Sequence, residues 1–239
     1  MARSFLGKFE RPESGMTPSK NEISVVPIFA TPFASMDTGT DAGFNNRLTR
    51  LCEAHQAESG NRAGSTQHPF YRSDADFLER PDAEISELKQ LVLGNAFRTI
   101  ESLNTFSASD LQDLRLDANA WCSIVQRNGH VPSQHFRSAA WVAVYCVQAG
   151  EPDEYARNAG VLRIHETRLS SIYRDASNWE ARMPYRYGHY SWTPKPGWMA
   201  LFPAHIQHEI SVVRSSTPLI LVFAVIRCIN TSIGDRRYD

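Results

Sequence analysis

The stretch Trp192-Thr193-Pro194-Lys195-Pro196-Gly197-Trp198-Met199-Ala200-Leu201-Phe202-Pro203-Ala204-His205-Ile206-Gln207-His208-Glu209-Ile210 decides how this chain is read. Pro196-Gly197 is turn chemistry, and Trp198 to Phe202 is a short buried strand that Pro203 closes. From His208 the pattern has a period of two, which puts Ile210 and Val212 on one face of a strand that His208 opens. A histidine therefore stands at the start of an inward-facing strand, and the apolar run Pro218 to Ile226 follows it. Upstream, Gly129-His130-Val131-Pro132-Ser133-Gln134-His135-Phe136-Arg137 leads into the strand Trp141 to Val147. Two histidines far apart in sequence, His135 and His208, are thus expected to meet at one end of a β-barrel, the arrangement of a non-haem metal site.

Working outward, Trp121 to Arg127 reads as a strand, Asn128-Gly129 as a turn, and Trp141 to Val147 as a strand apolar on both faces. Val161 to Arg168 alternates, with Leu162, Ile164 and Glu166 on one side. Ser170 to Pro196 is long, aromatic and without regular pattern, so it reads as a lid or binding loop. Its Arg174, Arg182 and Arg186 suit an acidic or amino-acid-like small molecule. Toward the N-terminus the period changes. Asp82 precedes Ile85, Leu88, Leu91, Val92, Ile100 and Leu103, whose spacing of three to four gives the longest helix, and Asn45 to Gln56 gives a shorter one. Ile23 to Phe33 is β-branched and aromatic but carries Pro27 and Pro32, which makes it an edge strand. Helices first and strands afterwards predict an α+β fold, with helices packed on one face of a β-sandwich or barrel.

The chain has 239 residues, 42% hydrophobic and 21% charged, with a formal net charge of −1. That is enough apolar content for a sizeable core, and the charge gives no electrostatic reason for nucleic acid or an anionic membrane as partner. Residues 1–22 read as a flexible polar tail with no apolar signal core, and 23–239 as a single domain. No apolar run approaches membrane-spanning length. Cys52, Cys122, Cys146 and Cys228 are scattered, without a CxxC pair, which predicts reduced thiols and a cytoplasmic location.

The segments Gly129-x5-His135-x-Arg137, Trp141-Val-Ala-Val-Tyr145, Gly160-Val-Leu-Arg-Ile-His165-Glu166-Thr-Arg168 and Pro196-Gly197-x4-Phe202-Pro203-x4-His208 resemble the Fe(II)/2-oxoglutarate-dependent oxygenases, and more narrowly their prolyl-hydroxylase-like bacterial branch. Phe29-Ala30-Thr31-Pro32 and Tyr71-Arg72-Ser73-Asp74 extend the resemblance over roughly Val26 to Arg227. It implies a double-stranded β-helix, a jelly-roll or cupin-like core. It also implies Fe(II) held by a His-x-Asp/Glu pair and a distal His, 2-oxoglutarate as co-substrate, dioxygen, and a small-molecule substrate undergoing hydroxylation or a related C–H oxidation. A homodimer stays open. On this resemblance His135 matches the first metal ligand and His208 the distal one.

Two positions depart from the pattern. Where the carboxylate belongs stands Arg137, a permanent cation with no lone pair for a metal. Either water or an anion completes the site, or Glu166 supplies the missing carboxylate; Arg137 itself reads as a substrate or carboxylate clamp, or as a solvated loop residue. The cation expected about ten residues after His208, to pair with 2-oxoglutarate, is replaced by Ser216-Thr217-Pro218-Leu219, and a helping tyrosine by Cys146. Arg214, Arg168 or Arg137 are the candidate replacements. The sequence therefore supports two functions: a non-haem Fe(II)/2-oxoglutarate oxygenase using His135 and His208, or an atypical member of the fold that binds a small molecule or works as a metal enzyme without 2-oxoglutarate.

Overall fold

A computed structural model describes residues 30–59, 69–151, 158–166, 175–176, 180–185 and 187–231. The chain divides into two units, Met1–Ala30 and Thr31–Asp239, and every described helix and strand belongs to the second. The elements run in the order β1 (Ala34–Asp37), α1 (Ala42–Glu58), β2 (Phe70–Arg72), a 3-10 turn (Phe77–Glu79), α2 (Ala83–Leu103), α3 (Ala108–Asp113), β3 (Leu114–Val125), β4 (Val131–Gln134), β5 (Trp141–Gln148), β6 (Leu162–His165), β7 (His189–Trp192), β8 (Trp198–Pro203), β9 (His208–Ile210) and β10 (Leu219–Asn230).

The strands form two antiparallel sheets, a six-stranded one in the order β1-β8-β5-β10-β3-β2 and a four-stranded one in the order β4-β9-β6-β7. This is a double-stranded β-helix with its N-terminal helices on one face. The period-two rule explains why the central strands are apolar on both sides. Trp121, Val142, Val144, Phe202, Leu221 and Phe223 fill the space between the sheets. Cys122, Ile124, Ala143, Tyr145, Leu201 and Val222, one residue out of phase, meet the helices instead. Each large apolar side chain so buried contributes roughly 1.5–3 kcal/mol.

The helices start where capping chemistry allows. The Asp41 side chain accepts from Phe44 N–H at 2.6 Å and opens α1, whose Phe44, Leu48 and Cys52 recur on the buried face. Tyr145 locks this helix to the sheet: its hydroxyl donates to Asn45 Oδ1 at 2.7 Å and accepts from Thr40 Oγ1 at 2.9 Å. Helix α2 presents Ile85, Leu88, Val92, Ala96 and Ile100 to the same layer. On the other side of the molecule Trp192 Nε1–H donates to Ser35 Oγ at 2.8 Å, tying the edge strand of the small sheet to the edge strand of the large one.

Several expectations need adjustment. Of the edge strand expected over Ile23 to Phe33, residues 30–33 form no strand, Pro32 having no N–H to give a ladder, and the rest lies outside the described residues; the edge strand of the large sheet is instead β1, Ala34–Asp37. Strand β9 ends at Ile210, and Val212 is 37% exposed instead of sharing its face. The backbone turns there so that Val213 N–H donates to Gly129 O at 2.8 Å and Val213 takes the buried position. Strand β7 sits inside the stretch read as irregular, and α3, with its Ser107/Asp110 capping box, precedes β3. No described helix is long and apolar enough to cross a membrane. All four cysteines are free, with Cys52, Cys122 and Cys146 buried, and burial pushes the Cys122 and Cys146 thiols up, so they behave as small apolar side chains.

Candidate functional site

The site is built at one end of the four-stranded sheet, where β4 stops and β9 begins. In the register of the sheet His208 lies between Gln134 of β4 and Ile164 of β6, so all three side chains face the space between the sheets. His208 is fully buried. Phe202 meets its ring edge-on at 4.9 Å between centroids, Phe136 stands at 5.8 Å and Phe223 at 6.4 Å. Trp121 stacks behind Phe223 at 5.8 Å and touches Phe136 at 5.5 Å.

This aromatic cage fixes the state of the imidazole. Desolvation, helped by the nearby His135 and His165, pulls the His208 pKa down to about 4, so the ring is neutral at physiological pH. Its Nδ1 lies 2.9 Å from Ile206 O, and because a carbonyl can only accept, the single proton is on Nδ1. Nε2 therefore keeps its lone pair, and that atom is buried without a partner among the described residues.

His135 follows Gln134 directly and stands at the exposed mouth of the same end. The two histidines thus stand near one another, close enough for His135 to act electrostatically on His208. Arg137, also exposed, donates from Nε to His135 Nε2 at 3.3 Å. The lone pair that a metal would need is engaged by a cation. Glu166 lies past the end of β6, half-buried, with its N–H on Gly188 O at 2.9 Å. Among the described residues no three His, Cys, Asp or Glu side chains converge closely enough to hold a metal ion, so Glu166 does not join the two histidines as a donor set. The free Nε2 of His208 alone suits Fe(II); the set as a whole does not fit it.

The positions where a 2-oxoglutarate anchor was expected are apolar and inward: Cys146 and Leu219 are both buried in the core between the sheets. Arg214 stands at the opposite end of the small sheet, in the loop beyond Ile210, and donates to Asn128 Oδ1 at 3.1 Å. Arg168, Arg174 and Arg186 lie outside the described residues, and Arg182 is exposed. His165 faces outward on β6, its Nε2 3.7 Å from Glu209 Oε1, which also accepts from Arg163 at 3.3 Å; His189 is its cross-strand neighbour.

No family model matches the sequence, and no curated protein matches it. Solved structures do. The chain is similar to a prolyl-4-hydroxylase from Pseudomonas putida at 14% identity and a TM-score of 0.52, over 82% of this chain and 92% of that one. The fold is that of the Fe(II)/2-oxoglutarate oxygenases. This oxygenase fold is also found in the α-ketoglutarate-dependent epimerase SnoN from nogalamycin biosynthesis, at 13% identity and a TM-score of 0.53 over 83% of this chain and 79% of that one. It recurs in the α-ketoglutarate-dependent carbocyclase SnoK, at 11% identity and a TM-score of 0.54 over 82% and 79%. A hydroxylase, an epimerase and a carbocyclase match equally well, so the likeness is one of fold and does not single out the prolyl-hydroxylase branch.

Sequence reasoning did not find the cage of Phe136, Phe202 and Phe223 around His208, nor the pairing of His208 with Gln134. The cage had a signal, since Phe136 and Phe202 sit beside the two histidine motifs. The Gln134 pairing had none, because cross-strand register is not written in a single strand.

Proposed function

We propose that this chain is an atypical member of the oxygenase fold, one that binds a small organic molecule at the His208 end of the barrel and has left 2-oxoglutarate chemistry behind, as a binding protein or as an enzyme independent of that co-substrate. One observation carries the reading: at the position of the carboxylate ligand, Arg137 donates its Nε–H to His135 Nε2 at 3.3 Å. A guanidinium there repels a divalent cation and occupies the lone pair that would bind it. The apolar interior at Cys146 and Leu219 adds support, since a dicarboxylate seated between the sheets would leave a buried charge without a partner. What the barrel end offers a ligand is an aromatic, water-excluding wall and one neutral acceptor, His208 Nε2.

The test is anaerobic addition of Fe(II) and 2-oxoglutarate, watching for the visible metal-to-ligand charge-transfer band. The wild-type chain should show none, and Arg137→Asp combined with Leu219→Arg, which restores a carboxylate at the metal position and a cation at the anchor position, should gain it. A band in the wild-type protein together with 2-oxoglutarate-dependent dioxygen uptake would defeat the reading. It would support the second one: an Fe(II)/2-oxoglutarate dioxygenase that oxidises a small molecule, with His135 and His208 as ligands. The buried, unpartnered Nε2 of His208 is what favours that alternative; under it, His208→Ala abolishes turnover.

A further inference from the structure

The corner where the two sheets gape, between β2 at the edge of the large sheet and β4 at the edge of the small one, holds a cleft of about 200 Å³ walled by Phe70, Trp121, Val131 and Gln134, with Arg72 across it. Register explains how a cation comes to face this interior. Arg72 pairs with Ser123 of β3, and Ser123 shares the inner face with Trp121, so Arg72 points between the sheets and its guanidinium lies 3.7 Å over the Trp121 ring. Desolvation there pulls its pKa below the usual guanidinium range. Among the described residues no carboxylate pairs with Arg72.

Two further polar groups at the same corner lack partners among the described residues: Gln134 Nε2 and Ser123 Oγ, both buried. Arg72 itself stays open to solvent, but the two buried groups beside it are costly unless something fills them, because a buried donor left unmade costs about 1–3 kcal/mol. The walls between them are aromatic and aliphatic. A water molecule could serve one donor, but an apolar wall beside a fixed guanidinium matches an organic anion better.

We propose that this cleft is a carboxylate site: Arg72, held flat on Trp121, takes the carboxylate of a small organic acid, Gln134 donates a second hydrogen bond, and Phe70 and Val131 receive its apolar body. It deepens the small-molecule reading of the barrel end and rests on it, since Gln134, which lines the cleft, is also the cross-strand partner of His208. The predicted ligand class is an aromatic or branched monocarboxylate.

Phenylacetate is the probe and phenylacetamide, its neutral isostere, the control, with affinities measured by calorimetry on the wild-type chain and on Arg72→Gln. Phenylacetate should bind the wild type at least tenfold more tightly than the amide does. Arg72→Gln should erase that preference while leaving the weak amide affinity and the circular dichroism unchanged, a result that a merely structural role for Arg72 cannot produce. Gln134→Leu should weaken phenylacetate severalfold. Equal affinities for acid and amide, equal binding to wild type and Arg72→Gln, or no phenylacetate binding at millimolar concentration would each overturn the proposal. These outcomes are independent of the iron titration, so the cleft and the metal-free reading fail separately.

Discussion

Acidification should unfold this protein in part through one side chain, His208. Its folded-state pKa is about 4 against the ordinary imidazole value of 6.5. Above pH 6.5 the ring is neutral both folded and unfolded, and the stability tied to its neutrality is fully present. Below 6.5 the unfolded chain takes up a proton that the folded chain refuses until pH falls to about 4, so stability is lost through that window. One pKa unit corresponds to about 1.4 kcal/mol, so the whole transition is worth about 3 kcal/mol and the part between pH 7.5 and pH 5 about 2 kcal/mol. Solvent screening does not discount the figure, since the ring is fully buried. The assay is urea denaturation of metal-free protein at pH 7.5, 6 and 5, wild type against His208→Leu, a substitution that suits the cage of Phe136, Phe202 and Phe223 and cannot titrate. Exposed carboxylates and the other histidines cancel in the difference. The stability advantage of wild type over variant should shrink by about 2 kcal/mol across that range. Parallel losses in the two proteins, or a His208 ring resonance that titrates near 6.5, would refute the reasoning.

Two other substitutions test how the fold supports the site. Tyr145→Phe removes the hydroxyl that links Asn45 to Thr40 and leaves the buried Asn45 Oδ1 without its donor, so thermal unfolding should report a loss of about 1–3 kcal/mol. Gly129→Ala would set a Cβ 2.2 Å from the Pro69 carbonyl oxygen, a backbone atom that cannot step aside, at the turn that starts β4. It should cost about 1–3 kcal/mol in chemical denaturation and weaken phenylacetate binding, because β2 and β4 form the two sides of the cleft.

The layer arrangement was legible because two different periods share one chain. Ile85, Leu88, Val92 and Ile100 repeat as a helix must, and Trp141 to Val147 is apolar at every position because both of its faces are covered. His208 was legible for a related reason: it opens an alternating run, and alternation alone assigns it to the inner face. What failed was wherever a third element decides. Val212 continues the alternation in sequence, yet the Asn128-Gly129 turn captures Val213 and ends the strand. Strand β7 is polar and exposed at three of its four positions, so no apolar pattern announces it; it exists because β6 offers it a ladder. The cleft was invisible altogether, for it depends on the registers of Arg72 with Ser123 and of Gln134 with His208.

The distribution of charge around the barrel end constrains how any ligand must lie. The inner surface near His208 is aromatic and aliphatic, and the neutral Nε2 there can accept one hydrogen bond but cannot balance an anion. The cations stand at the edges: Arg137 at the mouth beside His135, and Arg72 at the gap between β2 and β4. Moving an uncompensated carboxylate inward past either would cost several kcal/mol, whereas an apolar group moves inward favourably at about 25 cal/mol per Å². A bound organic acid is therefore oriented with its charge at the rim and its hydrocarbon toward the cage, and a hydroxyl or N–H on its inner end would find His208 Nε2. The opposite orientation, with the charged end deepest, is the one that 2-oxoglutarate would require if its remote carboxylate lay near Cys146 or Leu219, and no cation among the described residues waits for it there. The same constraint makes a single substitution informative. Leu219→Arg, which puts a guanidinium at the inner position, should give 2-oxoglutarate an affinity that the wild-type chain lacks, measured by calorimetry without metal. If the wild-type chain already binds 2-oxoglutarate as tightly as the variant does, the charge-at-the-rim orientation is wrong.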